Sequence, residues 1–327
     1  MKKYPTITVA LPCYNRAENL ERFLKNIRQQ TYPKECLEII IADGCSTDNT
    51  VDIAKKYGCK VIQDQTPDIE KRRKISFEAA KGEYIFIVDD DNFFPNRNLL
   101  LHMMDALLAE GAYAAECVWQ FYDRQDYPMN RYCALFGCYD PAAYYLHRND
   151  HMPIISKTWT LNGTVVKENN DFFKVRFNQN EVPTMGGQGF LCKKEYLSRG
   201  VSKDVVMHMD ICANLIKEGK NEFLFMKDYF GHNCVTSKKQ LIKKLRRNIK
   251  RYHKESSQRT MVYEMDKLKM IRLGLVMGTF VVPLKDAVKG YMKLADPAWL
   301  IHPVLCFQVA CCYAWNTLLK AVKNNER

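Results

Sequence analysis

Short apolar runs and helically spaced apolar positions take turns along the first third of the chain. Residues 6–11 form a β-rich apolar run. Leu20, Phe23, Leu24 and Ile27 then fall on one face of a helix over 17–30. Residues 37–42 are apolar apart from Glu38, as in a strand buried on both faces. The pattern goes on to predict a helix over 50–57, a strand over 60–63, and a helix over 69–80 closed by Gly82. An apolar strand over 84–88 and a helix over 98–109, ended by Gly111, follow. Repeated strand–helix units build a mainly parallel sheet covered on both sides, and ligands of such sheets bind beyond the carboxyl ends of the strands. Three loops occupy that position: Pro12-Cys13-Tyr14-Asn15, Asp43-Gly44-Cys45-Ser46 and Asp89-Asp90-Asp91.

Residues 117–184 lose this regularity and are rich in aromatics and prolines, as expected of loops and short elements that shape a pocket. From Thr236 the pattern changes again. Residues 236–254 hold nine Lys or Arg and no acidic residue. Leu241, Leu245, Ile249 and Tyr252 share one helical face, and cations take most of the rest. Such a helix suits an anionic membrane surface. Two apolar stretches follow, 273–284 and 298–319. The first is too short to span a bilayer. The second carries His302, Pro303, Gln308 and Asn316, and reads as an interfacial or re-entrant helix.

Composition narrows the class. Hydrophobic residues make up 47% of the 327 residues and charged ones 26%, the balance of a folded globular protein. A mean hydropathy of -0.35 argues against a polytopic membrane protein. The net charge of +12 calls for a polyanionic partner. No nucleic-acid module accompanies the basic segment, so lipid is the better match than nucleic acid. The 13 cysteines are scattered without CxxC or zinc-like spacing, which makes them buried thiols. Met1-Lys2-Lys3-Tyr4-Pro5 runs into the first strand without an apolar signal core. Both features point to a reducing compartment.

Candidate chemistry sits in the strand-end loops. Three adjacent carboxylates repel one another unless a cation compensates, and hard divalent cations take such oxygen ligands together with substrate phosphates. Asp43 ends an apolar strand before the turn-and-cap residues Ser46, Thr47 and Asp48, where a carboxylate can accept hydrogen bonds from a ligand or simply cap a turn.

Four segments in order then carry a resemblance: Thr8-Val9-Ala10-Leu11-Pro12-Cys13-Tyr14-Asn15, Ile40-Ile41-Ala42-Asp43-Gly44-Cys45-Ser46-Thr47-Asp48-Asn49-Thr50, Ala80-Lys81-Gly82-Glu83-Tyr84 and Val88-Asp89-Asp90-Asp91. Together they resemble family 2 glycosyltransferases. The resemblance implies the GT-A fold, a Rossmann-like, mainly parallel sheet flanked by helices, over residues 1–235. Its nucleotide-sugar-binding half would be 1–116 and its acceptor-side half 117–235, with basic amphipathic and apolar membrane-associated helices over 236–327. It further implies an inverting transfer from a nucleotide-sugar, most often a UDP-sugar, assisted by Mg²⁺ or Mn²⁺. Asp43 would bind the base, with Pro12 and Tyr14 lining its site. Asp89 and Asp91 match the outer positions of the DxD motif that holds the metal, with Asp90 between them at the cofactor. Arg73 would face phosphate or sugar, although Lys74 and Ser76 depart from the family's usual residues there. Gly187, within Gly186-Gly187-Gln188-Gly189, matches the glycine-bearing loop ahead of the catalytic base. The base itself is Asp210, or His208 by counting back from Leu215 and Gly219. His232 would serve the metal or the diphosphate.

Similar tails occur in members that act on lipid-linked or nascent surface glycans, polyprenyl phosphate being an alternative acceptor. The resemblance therefore implies a peripheral or monotopic protein at the cytoplasmic face of a membrane. Two rivals remain. A nucleotidyltransferase would show a glycine-rich basic loop after the first strand, where this chain has Pro-Cys-Tyr-Asn. A non-catalytic membrane adaptor would not need Asp43, Asp89 and Asp91.

Overall fold

The computed structural model describes residues 3–179, 181–182, 184–202, 205–233, 235–255 and 267–325. Contacts divide the chain into two units, 1–121 with 162–232 and 122–161 with 233–327.

The first unit opens with β1 (Ile7–Cys13), α1 (Ala17–Arg28), β2 (Leu37–Asp43), α2 (Thr50–Lys56), β3 (Lys60–Gln63), α3 (Ile69–Glu78) and β4 (Tyr84–Ile87). A two-residue strand β5 (Asn92–Phe93), α4 (Leu99–Glu110) and β6 (Ala114–Gln120) follow. Each element that the pattern predicts lies within two residues of its expected bounds as far as α4, and β5 is additional. The order β3-β2-β1-β4 is parallel throughout, as strands joined by crossover helices allow. α1 buries Leu20, Phe23, Leu24 and Ile27, each of which stabilises by about 2 kcal/mol relative to an exposed position.

After residue 162 the unit adds β7 (Thr164–Glu168), β8 (Phe172–Arg176), β9 (Phe190–Lys193), the β10 (Val201–Ser202) and β11 (Val205–Val206) hairpin, α7 (His208–Lys217) and β12 (Glu222–His232). Among the described residues ten strands make one sheet, in the order β3-β2-β1-β4-β9-β6-β12-β8-β7 with β5 on β12. β9 lies antiparallel between β4 and β6, so the sheet is mixed beyond its parallel half. Residues 117–184, expected as loops and short elements, thus include most of β6 and all of β7 and β8. β6 carries a buried Glu116 within its apolar run.

The second unit holds α5 (Pro128–Phe136) and α6 (Pro141–Tyr145), then α8 (Lys238–Glu255), α9 (Lys267–Gly278), α10 (Val281–Lys293) and α11 (Ile301–Asn325). Its core joins Tyr132, Phe136, Leu241, Leu245, Trp299 and Leu305. Residues 122–161 fall in one unit with the C-terminal helices. Phe136 shows why: its ring stacks on His302 at 3.8 Å and meets Trp299 edge-on at 4.7 Å. Leu241, Leu245 and Ile249 are buried, so the apolar stripe of α8 is already covered by protein and not free to enter a bilayer. Tyr252 lies where side chains are outside the described residues.

Candidate active site

The strand ends place three loops side by side. In the parallel register Cys13 stands opposite Asp43, so β1 and β2 finish together. Pro12 is buried beyond the last residue of β1 that pairs with β4, Ala10, where a missing N–H costs little. The two loops are then stitched to each other. Thr47 N donates to Asn15 Oδ1 at 2.8 Å, Asn15 N to Ser46 Oγ at 2.9 Å, and Arg16 N to Thr50 Oγ1 at 2.9 Å.

Asp43 is fully buried and takes the Ser46 N–H at 2.9 Å together with the Ser46 hydroxyl. A carboxylate has about four lone-pair sites, so acceptor capacity remains for a ligand N–H. Tyr14 is 52% exposed, and the Arg72 guanidinium lies 5.9 Å from its ring centroid. A Cβ on Gly44 would lie 2.5 Å from Arg72 Nη1, so a side chain here would displace the cation. Arg72 is buried, with Nη1 donating to Thr66 O at 2.7 Å and Nε lacking a partner among the described residues. An exposed ring, a buried acceptor and a cation thus share one corner of the site. Arg72 was not foreseen; three consecutive cations, Lys71-Arg72-Arg73, in a helix with little amphipathic pattern were the available signal.

The three aspartates after β4 have different surroundings. Asp89 has a side chain 40% exposed and receives Arg73 Nη2 at 2.8 Å. Arg73 is itself buried and also holds Glu70 at 3.0 Å. Burial disfavours its charge, but Asp89 and Glu70 outweigh this and raise its pKa. Arg73, expected to face phosphate or sugar, bonds Asp89 and Glu70.

Asp90 was expected at the cofactor and turns inward. Arg16 grips it through Nε and Nη2 at 2.8–3.1 Å, and Cys13 Sγ approaches at 3.8 Å. Burial raises the pKa of Asp90, while Arg16 pulls it back. The pair ties the first loop to the third. Arg16, two residues past the quoted opening motif's tyrosine, was missed.

Asp91 accepts Asn92 Nδ2 at 3.1 Å and lies 3.5 Å from His232 Nε2. The antiparallel pairing of His232 with Asn92 at the end of β12 brings them together. Among the described residues no group of three His, Cys, Asp or Glu is arranged to hold a metal. A carboxylate and an imidazole nevertheless fit a divalent cation that fills its shell with diphosphate oxygens. Asp89 stands apart from that pair on Arg73.

The glycine-bearing loop meets the start of α7. Gly186 N donates to the buried Glu116 Oε2 at 3.2 Å. A Cβ on Gly187 would lie 2.8 Å from His208 Nε2, so only glycine lets the imidazole rest on this backbone. His208 is half-buried, whereas Asp210 in the first turn of α7 is 2% exposed. The geometry brings together Gly187 and His208 and withdraws Asp210 from solvent.

Residues 8–188 match the profile of Glycosyl transferase family 2. The poly(ribitol-phosphate) beta-N-acetylglucosaminyltransferase TarS of Staphylococcus aureus is 29% identical over 98 residues, 28% of this chain and 17% of that protein. The chain thus spans less than a fifth of that relative's length. The dolichyl N-acetyl-alpha-D-glucosaminyl phosphate 3-beta-D-2,3-diacetamido-2,3-dideoxy-beta-D-glucuronosyltransferase of Methanococcus voltae is 23% identical over 355 aligned positions, covering 98% of each chain. The structure of the mannosyltransferase PcManGT from Pyrobaculum calidifontis, in complex with GDP-Man and Mn²⁺, superposes with a TM-score of 0.48. It is 17% identical and covers 98% of this chain and 81% of that one.

Proposed function

Because the chain belongs to glycosyl transferase family 2, we propose that it moves a sugar from a nucleoside-diphosphate sugar, with UDP as the favoured nucleotide, to a hydroxyl of a lipid-linked or nascent surface glycan. The observation that carries this reading is the convergence of Tyr14, Asp43 and Asp91 from three adjacent strand ends. Tyr14 offers its face to the base, and Asp43 accepts a base N–H with its remaining lone pairs. Arg72, one guanidinium nitrogen short of a partner among the described residues, supplies positive charge beside the nucleotide.

Asp91 and His232 are the residues that would hold Mg²⁺ or Mn²⁺. Such a cation, when bound, neutralises the charge that develops on the diphosphate leaving group. Arg73 holds the Asp89 carboxylate in place beside this site. The acceptor hydroxyl loses its proton to His208, which we favour over Asp210 because a base must reach its substrate. Attack from the face opposite the leaving group inverts the anomeric carbon, and the loops gain rate by holding both partners in line.

Residues 297–316 form a 20-residue stretch of mean hydropathy 1.4, 44% buried. We place it at a membrane interface on the cytoplasmic side. His302 within it bonds to Tyr132 and Tyr145, which favours docking over crossing.

Purified protein offered a panel of nucleotide-sugars should release nucleoside diphosphate from one of them, with a UDP-sugar expected. His208→Ala should abolish transfer and leave nucleotide affinity unchanged. Loss of transfer in Asp210→Asn with full activity in His208→Ala would return the base to Asp210. Release from no donor would sink the proposal.

A further inference from the structure

α8 has two unlike sides. Its Leu241, Leu245 and Ile249 row is buried in the second unit's core, leaving two neighbouring rows on a different side. These rows, at i, i+4, i+8 spacing, bring Lys238, Lys239, Lys243, Arg246, Arg247 and Lys250 to one groove of about 710 Å³. Among the described residues no carboxylate pairs with any of these six cations, and α8 has no acid before Glu255. Like charges at this spacing repel unless an anion joins them.

α11 closes the groove with Gln308, whose buried amide oxygen has no hydrogen-bond partner among the described residues. The same face of α11 is apolar on either side of Gln308: Val304 and Trp315 fall at i−4 and i+7 and are exposed. The adjacent Phe307 is exposed and stacks on Phe280 at 5.2 Å. α9 and α10 add exposed Leu275, Val281 and Leu284. Exposed apolar surface of this extent marks a binding face. A cationic groove beside an apolar face is the complement of a phosphate carried on a hydrocarbon chain.

We propose that α8 and α11 form a binding site for a phosphorylated lipid, with its phosphate seated among Lys243, Arg246 and Arg247 and its chain along the exposed side of α9, α10 and α11. This deepens the reading above and rests on it for a lipid-borne acceptor. It also changes which part of the tail meets the bilayer. α8 contributes charge alone, and the apolar contact comes from α9 to α11.

The test uses the full chain and three vesicle compositions: phosphatidylcholine alone, phosphatidylcholine with phosphatidic acid, and phosphatidylcholine with phosphatidylserine at matched surface charge. A seated phosphomonoester should give about tenfold tighter binding to phosphatidic acid than to phosphatidylserine, the worth of one or two charge-assisted hydrogen bonds. K243Q/R246Q/R247Q should erase that preference. K285Q/K289Q/K293Q, which removes equal charge from exposed positions of α10, should weaken both anionic compositions and keep the preference. Equal binding of wild type to the two anionic vesicles would overturn the site, as would loss of preference in both variants alike. Tighter binding to a single-stranded RNA than to any vesicle, or to free inorganic diphosphate with no vesicle preference, would also overturn it. Donor hydrolysis is measured in parallel. Hydrolysis without the vesicle preference defeats the site alone, and the preference without hydrolysis of any donor defeats the transferase reading alone.

Discussion

His302 makes the second unit acid-sensitive in a way that can be calculated. It is fully buried, with Tyr132 OH 2.9 Å from Nδ1, Tyr145 OH 3.0 Å from Nε2 and the Phe136 ring stacked at 3.8 Å. Tyr145 OH also reaches Asp286 Oδ2 at 3.2 Å, so its proton goes to the carboxylate and its oxygen accepts from Nε2–H. Tyr132 then donates to Nδ1, and the imidazole is neutral with both nitrogens satisfied. Protonation would set Nδ1–H against the Tyr132 hydroxyl proton. Burial lowers the His302 pKa to about 3, against 6.5 for the free side chain. The unfolded chain therefore takes up a proton as pH falls through 6.5, while the fold resists until about 3. The stability that depends on neutral His302 is complete above pH 6.5 and is lost as pH falls from 6.5 towards 3. The slope is about 1.4 kcal/mol per pH unit, and the whole is about 4–5 kcal/mol. Denaturant titrations from pH 7.5 to 4, followed by the fluorescence of buried Trp299, measure it. His302→Phe should cost about 1–3 kcal/mol at pH 7.5 by leaving the Tyr132 hydroxyl without its acceptor, while Tyr145 keeps Asp286. The gap between wild type and variant should close as pH falls. Parallel pH curves for the two proteins would refute the buried neutral imidazole.

Other outcomes follow from the first unit. Arg16→Ala leaves the buried Asp90 without its cation and should destabilise by about 2 kcal/mol, discounted because Arg16 is partly exposed. Asp90→Asn in the same chain should recover most of this, as a double-mutant cycle of denaturation midpoints can check; no recovery would mean that the pair carries nothing. Gly187→Ala should push the His208 ring off its seat and lower kcat about tenfold or more with KM for donor little changed. An equal rise in KM would instead place Gly187 against the donor.

The sequence made some elements legible for a local reason. β1, β2 and β4 are largely apolar runs, with Thr8 in β1 and Glu38 in β2, ended by Pro or Asp, and both signals act within a few residues. β9 could not be placed between β4 and β6, because that pairing depends on residues 70 and more positions apart. β12 is broken by a shift between Met226 and Tyr229 and carries Lys227 and Asp228, so no strand period stands out. The stripe on α8 was visible and its partner was not. An amphipathic face states that something covers it, and here Leu241 and Leu245 share a core with Tyr132 and Phe136. The aspartates were equally visible, yet their division of labour depends on Arg16, Arg73 and His232, which arrive from three other elements.

The central claim is that the three strand-end loops bind a nucleoside-diphosphate sugar around a cation held by Asp91 and His232. Calorimetric titration of UDP into wild type and Asp91→Asn, with Mn²⁺ and then with excess EDTA, tests it most directly. The account predicts binding that needs the cation and falls by at least about 100-fold in Asp91→Asn, with the denaturation midpoint unchanged. Undiminished UDP binding in excess EDTA, or in Asp91→Asn, would contradict it.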